Sequence, residues 1–468
     1  MKLFIPDKID LDKILSEFPP DNIKDFNKDK LVYIISLIVS IPACNNDLKI
    51  VNGFVSIHAK TLQNSVRNYK DYFKYLRDRK IIETDDWFIP GVKSKGYKFT
   101  FFWRRLKSLE VSSRSVISAI QLKREDDPVN KEKYSHLVKW WNDKVNVDYE
   151  IALDFLDADL ALKRKANDFL DRDHKTGEYK NPWQQYWNSL SAIERLATKE
   201  FSLSVDQSGG RFYSPLTNIR SMLRNCVSYD DKTLVSIDLK NSQPFLSTIL
   251  LNSSFWNNEG SSNSLKIWDF FPENDEILMI SSNIKECLYS EGSVLNSDLK
   301  LYTELVQEGK FYEFMADEMY NHLGIKFENR KGLKGTILMI LYSDNWTFNQ
   351  NKAAPKRVFA KLFPTVHKIF AAIKKGDRSR LPILLQGIES KMVLDVITRR
   401  IDIENPSIPI FTIHDSVVTT IGNEKYVKEI LLEEMVNAIG FTPQLSTEEW
   451  LPENLKYNDG KYYDVGPL

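Results

Sequence analysis

Ile408-Pro409-Ile410-Phe411-Thr412-Ile413-His414-Asp415-Ser416-Val417-Val418-Thr419-Thr420 is the stretch that decides the fold. A β-rich run, a tight polar turn and a second β-rich run predict a hairpin with Asp415 at its tip. Far upstream, Leu234-Val235-Ser236-Ile237-Asp238 is another short β-rich run, and it too ends in a carboxylate. Two carboxylates on adjacent strands of one sheet can hold a pair of Mg²⁺ ions. A strand-end aspartate is common, so either one alone says little. What lies between them makes the pair specific.

Arg330, Lys334, Leu338 and Tyr342 follow at intervals of four, which puts them along one helix face. Two cations and an aromatic on such a face suit a nucleotide: the cations meet triphosphate oxygens and the ring meets a base. An isolated pair of this kind is ordinarily a solvated basic stripe. Here it sits between the two carboxylates in the chain.

Taken together, these three elements resemble the A family of nucleic-acid polymerases, which includes bacterial DNA polymerase I and the single-subunit phage and mitochondrial RNA polymerases. Asp238-Leu239-Lys240-Asn241-Ser242-Gln243 resembles motif A, Arg330-x3-Lys334-x7-Tyr342 motif B, and His414-Asp415-Ser416 motif C. The order is correct and the resemblance covers about residues 205–450. Gly210-Arg211 is similar to the T-G-R element, Leu385-Gln386-Gly387 to the Q-G helix, and Phe363-Pro364-Thr365-Val366 to the aromatic-Pro step. The resemblance implies metal ligation by Asp238, Asp415 and Leu239, with two Mg²⁺ ions or Mn²⁺ in their place. It implies catalytic roles for Asp238, Asp415, Lys334 and His414. The incoming nucleotide would meet Arg330, Lys334, Leu338, Tyr342, Gln243 and Ser242, and the template–primer would meet Arg211 and Gln386.

Several positions depart from the family pattern. Motif A reads D-x-x-x-S-Q-P, with no glutamate at the expected place. Gln243 stands at the fifth position after Asp238, where DNA polymerases carry a glutamate that crowds the 2′-hydroxyl. Glutamine is nearly as large, so it favours dNTPs. Ser416 and the D-x-x-x-S spacing look more like the RNA enzymes. Leu338 replaces the Phe or Tyr of many DNA polymerases, and Tyr342-Ser343 replaces Tyr-Gly. The resulting expectation is a DNA-directed DNA polymerase of a plasmid, phage or mobile element, acting on template–primer and dNTPs. The alternatives are a single-subunit RNA polymerase or primase-like enzyme using NTPs, and a non-catalytic replication initiator. No exonuclease domain is recognisable upstream.

The rest of the chain is read around this centre. Its 468 residues suggest about three domains. An apolar share of 42% excludes a disordered chain, and equal numbers of Lys+Arg and Asp+Glu leave only local charge to identify a partner. Residues 51–105 hold twelve Lys/Arg against five Asp/Glu, a net of +7. Ser56 to Lys80 reads as one or two helices. Ile81-Ile82, then Trp87-Phe88-Ile89, the turn Pro90-Gly91 and Tyr97 to Phe102 follow as strand, turn, strand, the order of a winged helix. Lys93 and Lys95 in its wing, with Lys98 beside them, suit phosphate contacts.

The expected fold is therefore α+β, a right-hand polymerase with an antiparallel palm sheet and helical fingers and thumb. Residues 1–105 would be the winged-helix-like domain, 106–204 the thumb, 205–453 palm and fingers, and 454–468 a tail. Trp140-Trp141 and a break at Asn181-Pro182 mark the thumb, and 252–264 a polar loop. Asp148-Tyr149-Glu150 has the spacing of a nuclease motif but sits where helix-start acids belong. Leu31 to Ile41 is too short to span a bilayer, and three scattered cysteines fit a reducing, cytoplasmic setting.

Overall fold

The computed structural model describes residues 1–44, 53–63, 65–89, 93–121, 132–165, 170–172, 177–257, 265–289 and 295–455. The Pro90-Gly91 turn, most of the 252–264 loop and the tail beyond 455 lie outside the described residues. The fold mixes helices with an antiparallel sheet, in keeping with an α+β class.

At the centre is a six-stranded sheet. Lys232–Leu239 pairs on one side with Ser416–Thr420, which pairs in turn with Phe411–Ile413. Leu445–Glu449 and Val227–Tyr229 also pair with Lys232–Leu239, and Val145–Val147 pairs with Val227–Tyr229. Every pairing is antiparallel. Both faces are covered. Leu234, Phe411, Ile413 and Val418 belong to one apolar core, and Ile237, Leu239, Ile410 and Val417 to a second. Double burial explains why these strands read as nearly unbroken apolar runs.

The first core joins the sheet to the helices Lys28–Cys44, Tyr149–Lys165 and Pro182–Ala197. Asn181 opens the last of these: its Oδ1 accepts from Trp183 N and Gln184 N, with Pro182 in the first turn. Trp141 meets Phe201 and Phe411 edge-on, so the Trp pair packs under the sheet. Asp148 caps the helix that follows it, accepting from Ile151 N, and Glu150 pairs with Arg105. The acid-x-acid motif is thus used at a helix start.

The N-terminal region has a three-stranded sheet in the order Val55–Ser56, Gly96–Phe99, Ile82–Thr84. The helices Ala59–Gln63 and Tyr69–Asp78 come between its first two strands in sequence. Phe73 of the second helix stacks on Tyr97 with centroids 4.0 Å apart. Trp87-Phe88-Ile89 makes only a bridge from Ile89 to Lys93, and Trp87 and Phe88 are exposed. Lys2–Pro6 pairs with Leu106–Glu110, so residues on both sides of 105 share one small sheet.

The second core is helical and includes Phe311–Leu323, Arg330–Tyr342, Pro364–Ile373 and Arg380–Ser390. Phe363 is fully buried, and Pro364 begins its helix. Among the described residues no helix is long and apolar enough to cross a membrane.

Two buried lysines hold the end of the Arg330–Tyr342 helix. Lys374 Nζ donates to Leu341 O and Ser343 O, and Lys356 Nζ to Ser343 O, Ser343 Oγ and Asp344 O. They satisfy carbonyls that a helix end leaves open. Ser343 has an extended backbone, so no glycine is needed there. Burial, then the charge of Lys356, depresses the Lys374 pKa to about 7. An unfolded lysine keeps its proton up to about pH 10.4. Between these values the unfolded chain binds more protons, so stability should rise with pH from about 7 towards 10. Urea unfolding across that range should show this rise, and Lys374→Met should flatten it.

Candidate active site

Asp238 lies near the end of Lys232–Leu239. The register that pairs Ile237 with Val417 brings Ser416 to Asp238, and Ser416 Oγ donates to Asp238 Oδ1. Ile413 pairs with Ser416, leaving His414 and Asp415 as a two-residue turn. His414 takes φ +54°. After Asp238 the chain turns at Asn241, also at φ +54°, into the helix Ser242–Ser247. Asn241 is fixed there by Nδ2 donating to Gly309 O at 3.2 Å. A left-handed non-glycine residue costs about 1–3 kcal/mol and persists only where the surrounding structure holds it. One stands within three residues of each carboxylate.

The two carboxylates feel each other. Burial pushes the Asp238 pKa up to about 6, and the negative charge of Asp415 adds to the shift. The Ser416 hydrogen bond and the charge of Lys334 oppose it, while Glu448 adds further negative charge. Such a pair attracts a cation. Among the described residues no group of three or more His, Cys, Asp or Glu is arranged to hold a metal.

Arg330, Lys334, Leu338 and Tyr342 do share the helix Arg330–Tyr342. Arg330 and Lys334 are exposed, while Leu338 and Tyr342 are half-buried. A Cβ added at Gly335, next to Lys334, would meet open space. Asn329 caps the helix, accepting from Gly332 N at 2.9 Å. Two cations and a helix N-terminus together favour an anion. The Arg330 guanidinium lies 6.0 Å from the Tyr312 ring centre. The Tyr312 hydroxyl pKa is pushed up to about 12, by burial first, with Asp415 adding to the shift and Arg330 opposing it.

A second cluster adjoins the first. Tyr342 Oη donates to Gln243 Oε1 at 2.5 Å, and Gln243 Nε2 donates to Glu389 Oε2 at 2.7 Å. Arg211 clasps the same carboxylate, Nε to Oε1 at 2.9 Å and Nη2 to Oε2 at 3.0 Å. Glu389 is buried, and burial followed by the charge of Asp415 raises its pKa to about 7. The Gly209-Gly210-Arg211 segment lies against the helix Arg380–Ser390. A Cβ on Gly209 would come within 2.9 Å of Gln386 Cβ, which only glycine avoids. Past Ser390 that helix continues as a π-helix, Lys391–Ile397, a form frequent at functional sites.

The structure therefore brings together Asp238 with Asp415, Arg211 with Gln243 through Glu389, and Tyr342 with Gln243 directly. Leu239 follows Asp238 directly with its side chain buried, and Ser242 begins the next helix. His414 is half-buried, edge-on to Tyr213, with its pKa lowered by burial and then by Arg211. Lys93 and Lys95 belong to the N-terminal sheet region. Lys93 pairs with Asp85 at 2.5 Å and Lys95 with Asp86 at 3.2 Å.

Sequence reasoning missed Glu389, Tyr312 and Glu448. Glu389 had a signal, for it lies three residues after Gln386 and so shares its helix face. Glu448 reaches the site through strand register, opposite Ser236, which the sequence does not reveal.

No protein-family model and no curated protein matches the chain. Among solved structures, it is similar to the POL domain of Pol1 from M. smegmatis, in complex with DNA primer-template and dNTP. The identity is 12%, 71% of each chain is covered, and the TM-score is 0.32.

Removing Arg211 would leave Glu389 buried beside Gln243 without its cation. Arg211→Ala should therefore lower stability by about 2–3 kcal/mol, read from urea unfolding.

Proposed function

We propose that this chain is a template-directed nucleotidyltransferase, acting as a DNA-directed DNA polymerase. The observation that carries this reading is the placing of Asp238 and Asp415 together by strand register, with Lys334 close enough to act on Asp238. The donor set suits Mg²⁺, which binds through one or two carboxylates completed by substrate phosphates and water. Asp238, Asp415 and the backbone carbonyl of Leu239 would hold two such ions, with Mn²⁺ as a substitute. When bound, they supply positive charge at the attacking and leaving oxygens.

The chain's own residues do the rest. Arg330 and Lys334 draw the triphosphate towards the helix N-terminus, and Tyr342 and Leu338 bound the nucleotide along the same face. His414 lies beside Asp415, near the primer end. Arg211 and Gln386 approach the template–primer. A primer 3′-hydroxyl gives its proton to solvent water and bonds to the α-phosphorus, the α–β phosphoanhydride bond breaks, and pyrophosphate leaves.

Single-nucleotide insertion on a primed DNA template tests this. Asp238→Ala and Asp415→Ala should each abolish insertion while leaving template binding nearly intact. Wild-type rates in either variant would defeat the reading, and a wild type that prefers NTPs would favour the RNA polymerase alternative. Lys334→Ala should weaken nucleotide use by about 1.5–3 kcal/mol, seen as a raised KM for dNTP with template affinity retained.

We further propose that the N-terminal region binds duplex nucleic acid in a winged-helix manner. Arg67, Lys70, Lys74 and Arg77 are exposed at intervals of three and four, in and just before the helix Tyr69–Asp78. The hairpin cations Lys93, Lys95 and Lys98 are paired with Asp85, Asp86 and Glu83. Because Lys2–Pro6 pairs with residues beyond 105, the test uses the full chain. Duplex affinity should fall steeply with salt. Lys70→Gln with Lys74→Gln should lower that slope by about 2, and changes at Lys93 and Lys95 should matter less.

A further inference from the structure

Gln243 is held at both ends of its amide. Its oxygen accepts from Tyr342 and its nitrogen donates to Glu389. An amide has one acceptor end and one donor end, so only this orientation satisfies both neighbours. Glu389 is itself fixed by the two-point Arg211 contact and lies in a helix whose other face is in the second core. A side chain that crowds one hydroxyl discriminates only if it cannot yield. Resting on the nucleotidyltransferase reading, we propose that Glu389 is a positioning residue that locks Gln243 against the sugar of the incoming nucleotide. The same geometry explains the residue type at 243. A glutamate there would set a second carboxylate against Glu389, where the amide nitrogen now makes its 2.7 Å bond. This chain carries the acid on the Arg380–Ser390 helix and the amide beside Asp238, and the two choices depend on each other.

The test is a double-mutant cycle read as kcat/KM for dNTP and for NTP insertion. Gln243→Glu alone should lower dNTP insertion by about tenfold, from like-charge contact. Glu389→Gln alone should reduce the dNTP-to-NTP ratio, because its amide no longer fixes which way Gln243 points. The double variant, Gln243→Glu with Glu389→Gln, restores an acid–amide pair in reverse and should recover most of the tenfold loss and of the ratio. Thermal unfolding of all four proteins separates this from a general loss of fold, which would depress both nucleotides alike. Additive effects, or an unchanged ratio in Glu389→Gln, would overturn the positioning role. A wild type that inserts neither nucleotide would instead defeat the proposed function.

Discussion

Everything in the candidate site depends on the antiparallel register between Lys232–Leu239 and Ser416–Thr420. That pairing sets Asp238 against Ser416 and so beside the hairpin tip that bears Asp415. A slip of one residue would turn Asp238 to the other face and separate the pair. The register is strongly specified because the strands bury side chains on both faces, in two different cores. The folding free energy of two apolar cores thus holds two like charges together, an arrangement neither carboxylate would adopt by itself.

Around that pair the charge is graded. Positive groups stand on the exposed N-terminal part of the Arg330–Tyr342 helix, and its far end is anchored by Lys356 and Lys374. Glu389 and Arg211 form a second, buried ion pair, linked to Tyr342 through Gln243. The helix therefore has one solvated, cationic end and one end tied into the core.

Much of this was legible in the sequence because it follows short-range periodicity. The β-rich runs at 234–238 and 411–420 and the four-residue spacing from Arg330 to Tyr342 depend only on local geometry. In the N-terminal region helices precede the strands Ile82–Thr84 and Gly96–Phe99, but Trp87-Phe88-Ile89 forms no strand and stays exposed, and the strand Val55–Ser56 was not foreseen. What was hidden depends on contacts between distant segments. Glu389 meets Arg211 and Gln243, Gln243 in turn meets Tyr342, and Glu448 arrives by pairing of Leu445–Glu449 with Lys232–Leu239. The region from 106 to 204 looked like a separate helical unit, yet it gives the central sheet its Val145–Val147 strand and shares the first core. Three residues of strand are too short to stand out among charged helices.

The central sheet takes strands from residues 145–147, 227–239, 411–420 and 445–449. During synthesis the ribosome must deliver residues 445–449 before the last of these can join. Until then Lys232–Leu239 keeps an open edge, and long-range pairing of this kind is slow to form and prone to wrong partners. The small sheet of Lys2–Pro6 with Leu106–Glu110 closes much earlier. Maturation of the nascent protein would accordingly run from the N-terminal region towards the carboxylate pair, with that pair among the last parts to assemble.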